Sequence, residues 1–169
     1  ASYGKAFGMN VIIWGSDDAQ RRAAADGFSL AASKEALFQQ SDILTLHLRL
    51  APSTEACVTA EDLACMKPTS LLVNTSRAEL IEPDALLTSL NRGHPGMAAV
   101  DVFESEPILQ GHALLRLENC ICTPHIGFVE QENYEAFFSS AFENIVNFIK
   151  GTPTNIVNPG ALQMRRRSN

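Results

Sequence analysis

The sequence has no apolar run approaching the roughly 20 residues that a membrane-spanning helix needs. Its start, "ASYGKAFGMN", lacks the pattern of a signal peptide. No C-x-x-C pair occurs and no histidine stands at zinc-finger spacing, so the four cysteines indicate small core residues in a reducing compartment. We therefore expect no membrane segment and no metal site, and we expect the cytoplasm as the location.

Positive charge is also scarce. The 13 basic and 19 acidic residues give a net charge of −6, which opposes nonspecific attraction to nucleic acid or to an anionic membrane. The one basic cluster, Arg165-Arg166-Arg167, is predicted to be a solvated tail rather than a binding patch. With 46% apolar and 19% charged residues among 169, the chain suits a globular domain with its own core.

Short apolar runs alternate with helical patterns, which is typical of a parallel sheet with helices on its faces. The predicted strands are "MNVIIW", "GFSLA", "DILTLHL", "SLLVNTS", "GMAAVDVF" and "NCICTP". Ser33 and Thr59 are predicted helix N-caps, Pro83 is predicted in the first turn of a helix that ends at Gly93, and Gly151 is predicted to end a long amphipathic helix. The fold class is thus α/β with a doubly wound parallel sheet.

Polar side chains follow three of these strands. Ligands of open parallel sheets bind outside the carboxyl ends of the strands, so these positions are the candidates for a site. The residues in question are Thr75, Ser76 and Arg77 after "SLLVN", Asp101 and Glu106 after "GMAAV", and His125 after "NCICTP".

Three of these residues form a chemical set. An arginine can hold a carboxylate through two parallel hydrogen bonds, and a histidine beside a carboxylate is a general acid/base unit. Arg77 with Glu106 and His125 would suit a 2-keto acid and 2-hydroxy acid pair. Taken singly, Arg77 could also be a surface arginine at a helix start, and His125 a polar residue at a strand end.

The stretches "LLVNTSRAELIEPDALLTSLNRG", "GMAAVDVFESEP" and "NCICTPHIG" together resemble the cofactor domain of the D-isomer-specific 2-hydroxyacid dehydrogenases. The resemblance covers nearly the whole chain. It implies a Rossmann-like domain and hydride transfer between NAD(P)H and a small 2-keto or D-2-hydroxy acid, of the glyoxylate/hydroxypyruvate or phosphoglycerate type. It also implies a homodimer for the full-length protein.

The resemblance assigns roles by position. Arg77 would bind the substrate carboxylate, His125 would be the acid/base, and Glu106 would pair with His125. Asp101 would lie near the nicotinamide carboxamide. The residues implied to contact the cofactor are Gly15, Ser16, His47, Arg49, Thr75, Ser76, Arg77, Asp101, His125 and Gly127. Packing alone remains an equal alternative for His47 and Arg49.

The sequence departs from the family pattern at two positions. Gly15, followed by Ser16, stands where the family has an aspartate that binds the adenosine ribose. Without that carboxylate nothing repels a 2′-phosphate, so NADP fits as well as NAD. Ala78 replaces the glycine usual after the arginine and would narrow the floor of the site.

A third departure is the lack of any G-x-G-x-x-G loop, which in this fold holds the pyrophosphate at a helix N-terminus. We therefore expect a partial dinucleotide-binding domain over residues 1–151, without its first strand, and a tail over residues 152–169 that returns to a substrate domain outside this chain. Two alternatives stay open, a dinucleotide-sensing scaffold module and an inactive part of the dehydrogenase.

Overall fold

The structure is a computed structural model that describes residues 1–164. The predicted basic tail at residues 165–167 lies outside the described residues. The chain divides into two compact units, Ala1–Gly127 and Phe128–Asn169. The division of the sequence after residue 151 concerns family domains and stays a prediction.

The first unit alternates strands and helices, as the sequence pattern predicts. Its strands are β1 (Ile12–Ile13), β2 (Ser29–Leu30), β3 (Ile43–Leu46), β4 (Leu71–Asn74), β5 (Met97–Val100) and β6 (Cys120–Cys122). Its helices are α1 (Ser2–Ala6), α2 (Asp17–Ala25), α3 (Lys34–Gln40), α4 (Ala60–Ala64) and α5 (Ala85–Arg92), with short 3₁₀ helices at Ala78–Leu80 and Ala113–Arg116.

All strand pairs are parallel, which confirms the predicted fold class. One sheet has the order β3-β4-β5-β6, and β1 and β2 form a separate pair. In a doubly wound sheet of order 3-2-1-4-5-6, the first strand lies between the second and the fourth. Here β1 and β2 correspond to the strands on one side of that first strand, and β3 to β6 correspond to the strands on its other side. Among the described residues, only the short helix α1 precedes β1.

Local capping explains where several helices begin. Ser16 and Ser33 accept hydrogen bonds from backbone amides of the first turns of α2 and α3. Thr59 and Asp62 form a complete capping box at the start of α4. The predicted caps Ser33 and Thr59 are confirmed, since each depends only on residues within one turn.

Helix α5 ends as predicted but begins later. Gly93 ends it with a φ of 81°, a conformation that glycine adopts without strain. Pro83, however, precedes the helix, because Glu82 is held by contacts outside the helix: its amide donates to Val58 O and its Oε2 accepts from Ala60 N. The placement of Pro83 in the first turn is therefore wrong.

The core lies between the four-stranded sheet and helices α3, α4 and α5. Leu72 of β4 and Ala98 of β5 are fully buried, as are Leu63 and Leu80. Full burial of a leucine side chain contributes about 1.5–3 kcal/mol. The central strands are therefore a stable support for the loops that follow them.

The second unit consists of α6 (Gln131–Ile149) and α7 (Gly160–Met164). Gly151 follows α6 with a φ of 79°, as expected of a helix-ending glycine. Tyr134, Phe138 and Phe142 stack along α6 with ring centroids 5.8 and 6.5 Å apart. No helix in the described part of the chain is long and apolar enough to cross a bilayer.

Candidate active site

The strand register aligns the carboxyl ends of the four-stranded sheet. Leu46 pairs with Asn74, Asn74 with Val100, and Val100 with Cys122. The residues after these strand ends therefore emerge at one edge. This edge is where the sequence places its candidate residues.

The turn after β4 is organised by a buried side chain. Asn74 is 1% exposed, and its Nδ2 donates to Arg77 O at 2.8 Å while its Oδ1 accepts from Ser76 N at 3.1 Å. Ser76 Oγ in turn donates to Leu48 O, which ties this turn to the segment after β3. Asn74 was not among the predicted site residues, although an asparagine that ends an apolar strand is a signal for such a role.

Arg77 emerges from this turn in an extended conformation and is exposed. Its Nη1 donates to Ser76 O at 2.6 Å. Because Asn74 fixes the carbonyl of Arg77, the base of the side chain is held while the guanidinium faces solvent. That arrangement suits a residue that binds an anion.

Glu106 and His125 form a hydrogen-bonded pair, with Oε2 of Glu106 2.7 Å from Nδ1 of His125. Oε1 of Glu106 also accepts from Phe103 N at 3.1 Å. The hydrogen bond from His125, and then that from Phe103 N, hold the pKa of Glu106 below its ordinary value, and the charge of Arg77 acts in the same direction. Glu106 is thus a carboxylate near neutral pH, which orients the imidazole ring.

Arg77, Glu106 and His125 line one shallow cavity of about 270 Å³. Its lining also includes Ala78, Glu79, Val102, Phe103 and Glu104. An anion-binding arginine and an acid/base pair therefore face one space. Such a site can bind a small carboxylate and exchange a proton with it.

Asp101 directly follows β5 and is 4% exposed. Its Oδ1 accepts from Ile126 N at 2.9 Å and from Thr123 Oγ1, and its Oδ2 accepts from Gly127 N at 2.8 Å. Burial raises the pKa of Asp101, but the hydrogen bonds from Thr123, Ile126 and Gly127 outweigh it and leave the pKa below its ordinary value. Asp101 therefore carries a charge near neutral pH.

The remaining candidates lie elsewhere along the chain. Gly15 and Ser16 stand between β1 and α2, where Gly15 O accepts from Gln20 Nε2. His47 and Arg49 are exposed after β3, and Nε2 of His47 lies 3.1 Å from Thr45 Oγ1. None of these four described residues lines the cavity of Arg77 and His125.

Thr75 is exposed at the end of β4, and Gly127 is exposed at the end of the first unit. Neither lines the cavity in the described structure. In residues 1–164, no cluster of three or more histidine, cysteine, aspartate or glutamate side chains is arranged to hold a metal ion.

Comparison with known proteins decides the family. The model described as "D-isomer specific 2-hydroxyacid dehydrogenase, NAD binding domain" matches residues 1–127. The chain belongs to this family. The match also identifies the fold as an NAD-binding domain, as the resemblance implies.

Individual dehydrogenases and reductases are similar over almost the whole chain. A hydroxypyruvate reductase from Blautia hydrogenotrophica is 36% identical over 155 residues, which cover 91% of the chain and 47% of the relative. A glyoxylate reductase from Aeropyrum pernix is 36% identical over 167 residues, which cover 98% and 50%. A crystal structure of an oxidoreductase from Ralstonia solanacearum has a TM-score of 0.91 and 60% identity, and covers 95% and 47%.

The chain thus spans about half the length of the curated relatives that it matches. For a dinucleotide, its described residues offer polar groups at the carboxyl edge of the sheet and the Ser16-capped start of α2. Because residues 1–127 match an NAD-binding domain, these groups are the candidates for holding NAD(P). The sequence contains no glycine loop of the kind that holds the pyrophosphate.

Proposed function

We propose that the chain is the cofactor-binding half of an oxidoreductase that transfers a hydride between NAD(P)H and a small 2-keto acid or D-2-hydroxy acid. The observation that carries the proposal is the 2.7 Å pair of His125 and Glu106 in the same cavity as Arg77. Family membership supports the same reaction.

Each residue of the site has one role in the proposed reaction. The guanidinium of Arg77 binds the substrate carboxylate, so that the keto carbon lies beside the acid/base pair. His125 gives a proton to the keto oxygen during reduction and takes it back during oxidation. Glu106 orients the ring through its hydrogen bond to Nδ1.

Bound NAD(P) would supply or accept the hydride. We propose that Thr75, Ser76, Asp101 and Gly127 lie on its nicotinamide side, and that Gly15, Ser16, His47 and Arg49 lie on its adenosine side. The family match supports a dinucleotide site in this unit. Turnover with NADH compared with turnover with NADPH decides which of the two cofactors the protein uses.

The substrate is proposed to be a 2-keto acid of the glyoxylate/hydroxypyruvate or phosphoglycerate type. Curated relatives with these activities in their names support this class. We also propose a homodimer in the cytoplasm. Four free cysteines in the described chain fit a reducing compartment.

The test is steady-state reduction of glyoxylate, hydroxypyruvate and 3-phosphohydroxypyruvate, with NADH and with NADPH, by the protein that carries this domain together with its substrate domain. His125→Gln is expected to lower kcat by about 100-fold or more. The matched control is His94→Gln, since His94 precedes β5 at the opposite edge and bonds Met66 O. Turnover by His125→Gln equal to that of the control would refute the acid/base role.

A second candidate is that this chain by itself binds dinucleotide without catalysis, or is inactive. The lack of a glycine loop in the sequence and the half-length match to relatives favour this alternative for the isolated chain. A thermal melt with and without NADH or NADPH separates the two cases, because a ligand that binds only the native state raises the midpoint. A raised midpoint without turnover indicates a binding module, and an unchanged one indicates an inactive part.

A further inference from the structure

The turn after β6 is closed by one buried carboxylate from a neighbouring strand. Asp101 accepts hydrogen bonds from Thr123 Oγ1, Ile126 N and Gly127 N. These donors stand on both sides of His125 in the sequence. The backbone on both sides of His125 is therefore tied to Asp101.

His125 itself has a φ of 56°. Residues with a Cβ are disfavoured in this left-handed region, because the Cβ approaches the following carbonyl. Its amide donates to Thr123 O at 3.0 Å, which tightens the turn on the other side. A conformation of this kind persists only where surrounding contacts impose it.

Gly127 is required by the same carboxylate. A Cβ at position 127 would stand 2.9 Å from Asp101 Oδ2, a distance that real Cβ atoms essentially never show. The resemblance implies that Gly127 contacts the cofactor, and in the structure its amide donates to Oδ2 of Asp101 at 2.8 Å. The two positions are thus coupled by direct contact.

We propose that Asp101 is a positioning residue, whose hydrogen bonds to the turn hold His125 in the left-handed conformation that places Nδ1 against Glu106. This role is distinct from a contact between Asp101 and the nicotinamide. Its catalytic meaning rests on the proposed function of His125, but the geometry that it predicts can be measured on this chain alone.

The readout is the titration of Glu106, followed by NMR of its carboxyl carbon in the 169-residue chain. The bond from His125 lowers the pKa of Glu106, so loss of that bond must raise it. His125→Ala defines the largest rise that loss of the imidazole can cause. Asp42→Asn is the matched control, since Asp42 is an exposed aspartate at the amino end of β3.

Asp101→Ala removes all three acceptor contacts, and Asp101→Asn replaces one acceptor oxygen by a donor. Gly127→Ala keeps the Asp101 carboxylate, but the added Cβ would clash with Oδ2 of Asp101 and force the turn and the carboxylate apart. In each variant the Glu106 pKa is expected to rise across most of the interval that His125→Ala defines. In Asp42→Asn the titration of Glu106 is expected to match that of the unmutated chain.

A Glu106 titration that is unchanged in a folded Asp101→Asn or Gly127→Ala chain would overturn the proposal. Loss of the fold in all three variants would also overturn it, because Asp101 would then support the whole unit rather than the placement of His125. Circular dichroism decides whether each variant is folded.

Turnover measurements separate this proposal from the proposed function. If His125→Gln abolishes turnover while Asp101→Asn leaves the Glu106 titration unchanged, the acid/base role stands and the positioning role fails. If Asp101→Asn raises the Glu106 pKa while His125→Gln keeps full turnover, the positioning role stands and the acid/base role fails. The two failures are therefore distinguishable.

Discussion

Nδ2 of Asn74 lies 2.8 Å from the carbonyl oxygen of Arg77 and donates a hydrogen bond to it. Asn74 is buried at the end of β4, whereas Arg77 is exposed at the cavity. The rigid sheet thus fixes the backbone from which a solvent-facing arginine extends.

Asn74→Leu is expected to lower the free energy of unfolding by about 1–3 kcal/mol, because Ser76 N and Arg77 O lose their partner. Urea unfolding measures the change. Asn91→Leu is the control, since Asn91 is an exposed asparagine on α5, and it is expected to stay within about 0.5 kcal/mol of the unmutated chain. Equal effects of the two substitutions would contradict the role of Asn74.

The form of the Arg77 side chain matters as well as its charge. In the longer protein, Arg77→Lys keeps a positive charge but loses the two-pronged hydrogen bond to a carboxylate. Loss of a charge-assisted hydrogen bond corresponds to roughly a 10- to 100-fold fall in kcat/KM. Arg116→Lys is the control, since Arg116 lies outside the cavity. Unchanged kcat/KM in Arg77→Lys would exclude two-pronged binding of the substrate.

Gly96→Ala tests a close backbone approach at the amino end of β5. A Cβ at position 96 would stand 1.9 Å from Pro68 O, so the chain must move to admit it. We expect Gly96→Ala to lower the free energy of unfolding by at least about 1 kcal/mol. Gly111→Ala, whose Cβ would meet only the end of the Arg116 side chain at 3.9 Å, is expected to have little effect.

Acid is expected to weaken the first unit through Asp101. The pKa of this carboxyl in the folded chain lies below its ordinary value of 3.8, so its stabilising contribution is complete above that value. The contribution is lost as the pH falls through the folded pKa. Asp101→Asn should therefore be less stable than the unmutated chain at neutral pH, and the gap should narrow below about pH 4. Urea unfolding across that range measures the gap, and a constant gap would contradict the assignment.

Cys120 is expected to react very slowly with alkylating reagents. Burial, together with Cys122, raises its pKa to about 12, so only about one thiol in ten thousand is ionised at pH 8. Mass spectrometry after iodoacetamide treatment should find Cys120 unmodified in the folded chain and modified after denaturation in urea. Rapid labelling of Cys120 in the folded chain would contradict the raised pKa of this half-buried thiol.

The sequence predicts what depends on near neighbours. The caps at Ser33 and Thr59 and the helix end at Gly93 each need only residues of one turn, and all three are confirmed. The succession of strands and helices along the chain follows from the alternation of apolar runs and helical patterns. The predicted position of Pro83 is wrong because residues distant in the sequence, in the segment around Val58, decide where α5 begins.

The candidate site also has some features that the sequence predicts and others that it does not. Chain order is enough to predict that Arg77, Glu106 and His125 meet at one sheet edge, and the structure brings them to one cavity. The bonds of Asp101 join residues that are 22 to 26 positions apart, so no local pattern reveals them. The same holds for the coupling of Asp101 with Gly127, which needs a measured approach of backbone and carboxylate.

The separation of β1 and β2 from the four-stranded sheet leaves β3 at the edge of that sheet among the described residues. Among the described residues β3 pairs only with β4, and Ile43 of β3 is 51% exposed. A strand edge of this kind can pair with other chains. A single further parallel strand that paired with both β1 and β3 would join the two sheets and cover both edges at once. Pairing of that one strand would then both complete the sheet and protect the edges of β1 and β3 from pairing with other chains.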